Sequence, residues 1–201
     1  MMKKFFLSKD FIKKLLVLSL VVYFVMPGFI TFLWILSIGI FLALFRKNKV
    51  NFKDTLANST DILLSPVSGK VISISDDRSI IEIKLPLSGP YGLYMPFSAQ
   101  VGMFEKFKSD DNKFTKNSKR YSVVFRSKLG STTAIELFNS SFATEAHVWI
   151  KTGDKARSSA NFGYMPLGGK IKINLPTESN ILISIGESVI AGSTILAGIK
   201  G

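Results

Sequence analysis

The residue types missing from this 201-residue chain limit the covalent and metal chemistry it can do. No cysteine occurs, which removes disulfides, thiolate metal sites and a cysteine nucleophile. The single histidine, His147, excludes a zinc or iron site built from several imidazoles. A serine hydroxyl is a weak nucleophile until a base takes its proton. Within Leu129-Gly130-Ser131-Thr132 a hydroxyl directly follows a glycine, although Gly-Ser-Thr is also ordinary turn chemistry between two strands. His147 stands beside Trp149 on an apparent strand, where it reads as a packed or interfacial residue before it reads as a base. A second pattern couples glycine to carboxylate: Gly153-Asp154-Lys155-Ala156 and, thirty-three residues on, Gly186-Glu187-Ser188-Val189, with Gly192 and Ile195 closing the second copy. Each copy reads as a hairpin whose glycine supplies positive φ.

These residues must be positioned by a mainly β domain. Short alternating or β-branched runs, separated by Gly, Pro, Asn and Asp, predict strands over Lys70–Ser75, Ser79–Leu85, Tyr121–Phe125, Thr133–Phe138, His147–Lys151, Lys170–Leu175 and Ile181–Ile185. Lys106–Arg120 is charged and without periodicity, and reads as a solvated loop or a headgroup-binding lid. The aromatic stretch Tyr91–Phe97, with Tyr94, Met95 and Phe97 and then Met103 and Phe104, suits either a core strand or insertion into a lipid interface.

Ahead of this domain, Leu15–Phe45 carries no charge. One straight helix of that length would run about 46 Å, beyond a hydrocarbon core of about 30 Å. Pro27-Gly28 is a turn signal that divides the run. Both flanks are rich in Lys and Arg, and the positive-inside rule puts both in the cytoplasm. Residues 1–47 are therefore expected to be a hydrophobic helical anchor, a re-entrant hairpin or a kinked single span. No small-residue cleavage site follows it, so a removed signal peptide is not expected. A polar linker over 48–60 would lead to the β-rich domain at 61–201, on the cytoplasmic side of the cell inner membrane. Of the net charge of +12, +7 falls before residue 51. Basic residues bracketing an apolar run fit an anionic leaflet, so membrane phospholipid and not nucleic acid is the expected partner.

Three segments, in order, resemble the small membrane-anchored bacterial phosphatidylserine decarboxylases. Ser65-Pro66-Val67-Ser68-Gly69-Lys70-Val71 is similar to the family's Pro-Ala-Asp-Gly-Lys-Val element. Leu85-Pro86-Leu87, followed by Pro96 and Val101, is similar to the stretch that holds a histidine within S-P-x-D-x-H-x-x-R-x-P. Val148–Pro176 resembles a glycine-spaced run that ends in the family's self-cleaving Gly-Ser and a later proline. The resemblance implies a barrel- or sandwich-like decarboxylase domain and a pyruvoyl group made from the chain itself. In that chemistry a serine hydroxyl attacks the preceding carbonyl, and the ketone left after elimination forms a Schiff base with phosphatidylserine. A glycine–carboxylate hairpin with Asp154-Lys155-Ala156 is also similar to lipoyl and biotinyl carriers, through those few residues alone.

At each position that carries the implied chemistry the chain departs from the family. Gly168-Gly169 replaces Gly-Ser, Ser68 replaces the aspartate, and the histidine region reads Ser88-Gly89-Pro90-Tyr91-Gly92. Glycine offers no oxygen for the acyl shift. The first expectation is a relative that has lost catalysis, forms no pyruvoyl group, and keeps a lipid-binding or partner role, with self-association as another option. The alternative is an active enzyme processed at Gly130-Ser131 with His147 as its base, for Leu-Gly-Ser-Thr matches the cleavage motif of the larger bacterial decarboxylases.

Overall fold

The computed structural model describes residues 9–25, 28–44, 62–77, 79–87, 89–107, 119–127, 130–139, 146–176 and 179–199. The expected linker over 48–60, Ser88 and the centre of the charged loop, 108–118, lie outside them.

Two helices come first, α1 (Lys9–Val25) and α2 (Phe29–Leu44). Gly28 sits between them at φ +98°, and its carbonyl accepts the Phe32 amide at 3.2 Å to open α2. The break leaves helices of 17 and 16 residues, each about 25 Å long against a core of about 30 Å. Among the described residues no helix is long and apolar enough to cross a membrane, so neither provides the spanning anchor expected over 1–47. Both helices expose large apolar side chains, including Leu16, Leu20, Phe24, Phe29, Phe32 and Ile35.

The rest is mainly β. Among the described residues the strands up to residue 139 are β1 (Ile62–Leu64), β2 (Gly69–Ile74), β3 (Ile80–Leu85), β4 (Gly92–Tyr94), β5 (Ala99–Lys106), β6 (Lys119–Ser127) and β7 (Thr132–Asn139). After them come β8 (His147–Val148), β9 (Lys155–Ala156), β10 (Asn161–Tyr164), β11 (Gly169–Asn174), β12 (Asn180–Ile181), β13 (Ser188–Val189) and β14 (Ile195–Gly198). They form an eight-stranded sheet of order β13-β2-β3-β11-β7-β6-β5-β9 and two three-stranded sheets, β1-β14-β12 and β4-β10-β8. One core joins all three, with Val71, Ile83, Phe97, Phe125, Leu137, Phe162 and Ile173 almost wholly buried.

The expected strand over 147–151 shrinks to His147–Val148 and that over 181–185 to Ile181, paired together with Asn180, because their neighbours pair for only that distance. Tyr91–Phe97 does not meet solvent. Tyr91, Met95 and Phe97 are fully buried and Tyr94 nearly so, which corrects the reading of this stretch as an interfacial surface. Its β4 is too short for two-residue alternation to be visible, and it packs on both faces.

The strands also obey an internal repeat. The Val71 amide donates to the Glu187 carbonyl (2.9 Å) and the Val71 carbonyl accepts the Gly186 amide (2.9 Å). Thirty residues on, Val101 makes the same two bonds with Asp154 (2.8 Å) and Gly153 (2.8 Å). The side chains follow the same rule: Asp154 accepts the Lys151 amide (2.8 Å) and Glu187 accepts the Ser184 amide (3.0 Å). The Leu64 amide donates to the Pro96 carbonyl and the Tyr94 amide to the Pro66 carbonyl, at 2.8 and 2.9 Å, tying the two copies together. The sheet orders match accordingly, β13-β2-β3-β11 mirroring β9-β5-β6-β7 and β1-β14-β12 mirroring β4-β10-β8. The copy formed by β4–β10 lies in the chain between β3 and β11 of the other.

Candidate functional site

Three separated segments meet at one end of the large sheet. β3 is flanked by β2 on one side and β11 on the other, with Lys70 opposite Lys84 and Gly169 opposite Leu85. Ser68 and Gly168-Gly169 therefore lie at the same end, on the two sides of β3. At about 4.8 Å between strands their backbones stand about 10 Å apart. The loop leaving β3 at Pro86 crosses this end and returns at Tyr91.

The bend itself has three consecutive residues of positive φ: Leu167 at 57°, Gly168 at 78° and Gly169 at 147°. A side chain on Gly168 would meet the Pro86 and Leu85 carbonyls at 2.9 and 3.0 Å. On Gly169 it would meet the Phe138 carbonyl at 2.6 Å and collide with the Met165 thioether methyl, which fills that space. The bend is thus shaped around two residues without Cβ, and no attacking oxygen stands at Gly169. It does not fit the formation of a pyruvoyl group, which needs that oxygen.

Tyr91 buttresses the bend. Its hydroxyl donates to the Leu87 carbonyl, and it lies against the backbone of Gly89 and Leu167. Burial pushes its phenol above the ordinary value, while the Gly89 and Leu167 backbone groups pull it part of the way back. Counting back from Pro96 along S-P-x-D-x-H-x-x-R-x-P places Tyr91 at the histidine position and Gly89 at the aspartate position. Ser68, at the position of the first aspartate, accepts the Ala191 amide on Oγ at 2.9 Å. Pro90 is half-buried in the same loop. Beside the bend, Lys170 pairs with Glu82 at 3.3 Å and lies 5.0 Å over the Phe138 ring.

Gly130 and Ser131 occupy the turn from β6 to β7, remote from this cluster. Gly130 adopts φ +90° with open space around it, its amide donates to the Ser127 carbonyl (3.2 Å), and the Ser131 carbonyl accepts the Ser127 amide (2.9 Å). Ser131 faces Ser127 as Gly169 faces Leu85, so the internal repeat makes Ser131 the counterpart of Gly169. His147 belongs to another sheet, in β8, where it pairs with Tyr164 and stacks on its ring at 4.8 Å between centroids. Trp149 is half exposed and packs against the same Tyr164 ring at 6.3 Å. Among the described residues no group of His, Asp or Glu could hold a metal ion.

The order of these elements and the glycine bend at 168–169 can be set against known proteins. The chain is similar to phosphatidylserine decarboxylase proenzymes. It is 25% identical to that of Amoebophilus asiaticus over 81% of this chain and 77% of the relative. With the proenzyme of Desulfotalea psychrophila it shares 23% over 85% and 84% of the two chains, and with that of Paraburkholderia phytofirmans 24% over 90% of each. No family model matches the chain. Similarity to the proenzymes over most of the chain sits beside a bend without a side-chain oxygen at Gly168-Gly169.

The repeat is also written in the sequence, though faintly: Pro66-Val67-Ser68-Gly69-Lys70-Val71 and Pro96-Phe97-Ser98-Ala99-Gln100-Val101 share Pro-x-Ser-x-x-Val at a spacing of thirty residues. The strand expectations above miss this signal, which identifies β5 and matches Ser98 to Ser68.

Proposed function

We propose that the chain is a diverged member of the phosphatidylserine decarboxylase family that does not generate a pyruvoyl group at its bend and retains a phospholipid- or partner-binding role. The observation that carries this reading is Gly169: the bend has no side-chain oxygen, and Met165 fills the volume a serine Cβ would need. Tyr91 and Ser68 agree with it, since a buried phenol that donates to a carbonyl and a hydroxyl that accepts an amide cannot serve as a general base near neutral pH. The exposed apolar surfaces of α1 and α2 support attachment to a bilayer, because contiguous apolar surface of this kind marks membrane or protein contact. The basic residues on both flanks favour the cytoplasmic face of the inner membrane.

A second reading rests on the internal repeat. Ser131 stands where the repeat puts the counterpart of Gly169, and it carries the hydroxyl that Gly169 lacks. Self-processing there would divide the chain into residues 1–130 and 131–201.

Intact mass of the purified full chain separates the two. A single species of 22.2 kDa supports the first reading. Two fragments, the smaller beginning with a keto-blocked residue 131, support the second and overturn the first. Release of carbon dioxide from carboxyl-labelled phosphatidylserine by the unprocessed chain would also overturn the first.

A further inference from the structure

A half-open cavity of about 670 Å³ lies over β5, β6 and β9. Along β7, Thr132 beside Arg126 is seven residues from Asn139 beside Gly169, so the cavity is about 23 Å from the bend at about 3.3 Å per residue.

Register explains its lining. Gln100 of β5 pairs with Arg126 of β6 on one side and Lys155 of β9 on the other. Side chains alternate along a strand, so Arg126, Gln100 and Lys155 form one cross-strand row on the outer face. The adjacent row, Ser127, Ala99 and Ala156, turns inward and is largely buried. One step further out, Ser98 and exposed Arg157 complete the lining, with Ser98 Oγ accepting the Ser158 amide at 3.0 Å. The edge strand β9 is two residues long, which leaves this corner of the sheet uncovered.

Three cations share this concave face, and among the described residues no carboxylate lines it. The nearest in sequence, Asp154, accepts the Lys151 amide at 2.8 Å. Among the described residues Arg126, Lys155 and Arg157 have no ion-pair partner, and like charges on one face of a sheet destabilise it. The repeat supplies a contrast. The related row in the other copy, Lys70–Lys84 continuing to Lys170, is also basic, but Glu82 reaches Lys170 at 3.3 Å.

We propose that this cavity binds the phosphate group of an anionic ligand, a phosphomonoester or phosphodiester. The two guanidinium groups present planar donor forks that match phosphate oxygens, Lys155 adds a compact charge, and the volume is that of a small-molecule site. A soluble phosphoester and a lipid headgroup share this chemistry.

Calorimetry on the full chain in non-ionic detergent micelles tests it, with glycerol 3-phosphate and dihexanoyl phosphatidate as probes. At least one probe binds, and R126Q/R157Q weakens it by about tenfold or more, the scale of lost hydrogen bonds to a charged group. K70Q/K84Q leaves it unchanged. Binding of the two probes within about twofold assigns the site to soluble phosphoesters, and a clear preference for the phosphatidate assigns it to lipid. Failure of both probes to bind at millimolar concentration, equal binding by R126Q/R157Q with an unshifted melting temperature, or an equal loss in K70Q/K84Q overturns the proposal. Should the double variant not fold, K155Q, which changes one exposed side chain, takes its place: weaker binding supports the site and unchanged binding overturns it.

Discussion

The thioether methyl of Met165 occupies the space into which a Cβ on Gly169 would project, and the Phe138 carbonyl closes the other side at 2.6 Å. Gly169 also sits at φ +147°, a conformation that disfavours any L side chain. A bend of this shape is fitted to glycine, and restoring the family's serine has to displace a neighbour.

G169S is accordingly expected to destabilise the fold by about 2–4 kcal/mol, from positive φ and overpacking together. Urea unfolding of the β domain signal measures it. M165A costs stability alone but recovers part of the G169S loss in the double variant, because the two side chains compete for one volume. An additive double-mutant cycle would refute the steric account.

The repeated turns give a contrasting case. A side chain at Gly153 meets nothing within 4 Å, and one at Gly186 reaches only Lys70 Cε at 4.0 Å. Both glycines hold φ near +90°. G153A and G186A should each cost about 1–2 kcal/mol through backbone strain alone. Their losses should agree within about 0.5 kcal/mol, since the surrounding hydrogen bonds are duplicated; unequal melting shifts would count against equivalence of the turns.

Burial raises the phenol pKa of Tyr91, and that of Tyr94 likewise. A group whose folded pKa lies above its unfolded value of 10 favours the fold fully below pH 10, and that contribution fades as pH rises through the folded value. Stability should be flat from this source between pH 7 and 9 and fall above 10. Ultraviolet titration should show these two tyrosines ionising together with unfolding. In Y91F the Leu87 carbonyl loses its donor, for a cost of about 1–3 kcal/mol, and the alkaline drop shrinks.

Thr133, wholly buried in β7, has a hydroxyl without a hydrogen-bond partner among the described residues. T133V keeps the shape and removes the orphaned polar atom, so a stabilisation of about 1 kcal/mol is expected in urea unfolding. A destabilised valine variant would mean that the hydroxyl is satisfied in solution.

Much of the architecture was open to reading along the chain. Ile81, Ile83, Ile171 and Ile173 alternate with Glu82, Lys84 and Lys172, and one-sided burial of a strand writes that alternation directly. Glycine turns at Gly153 and Gly186 announced themselves because positive φ is a local property, and so did the missing oxygen at Gly169, which is a matter of composition. The short strands β1, β4 and β14 have no such signature: three or four residues buried on both faces carry no period. For the same reason Tyr91–Phe97 could be read as a lipid-facing surface until packing put it inside.

Pairing alone decided which distant residues meet. It set Ser68 and Gly169 on the two sides of β3, sent Ser131 to the opposite end of the sheet, and aligned Arg126 with Lys155 across Gln100. Strand order joins segments more than a hundred residues apart, such as Ile62 and Gly198, through backbone hydrogen bonds that every residue type offers, so side-chain identity cannot encode it locally. The chain determined what chemistry is missing at its bend; only the folded sheet determined that Arg126, Lys155 and Arg157 share one hollow.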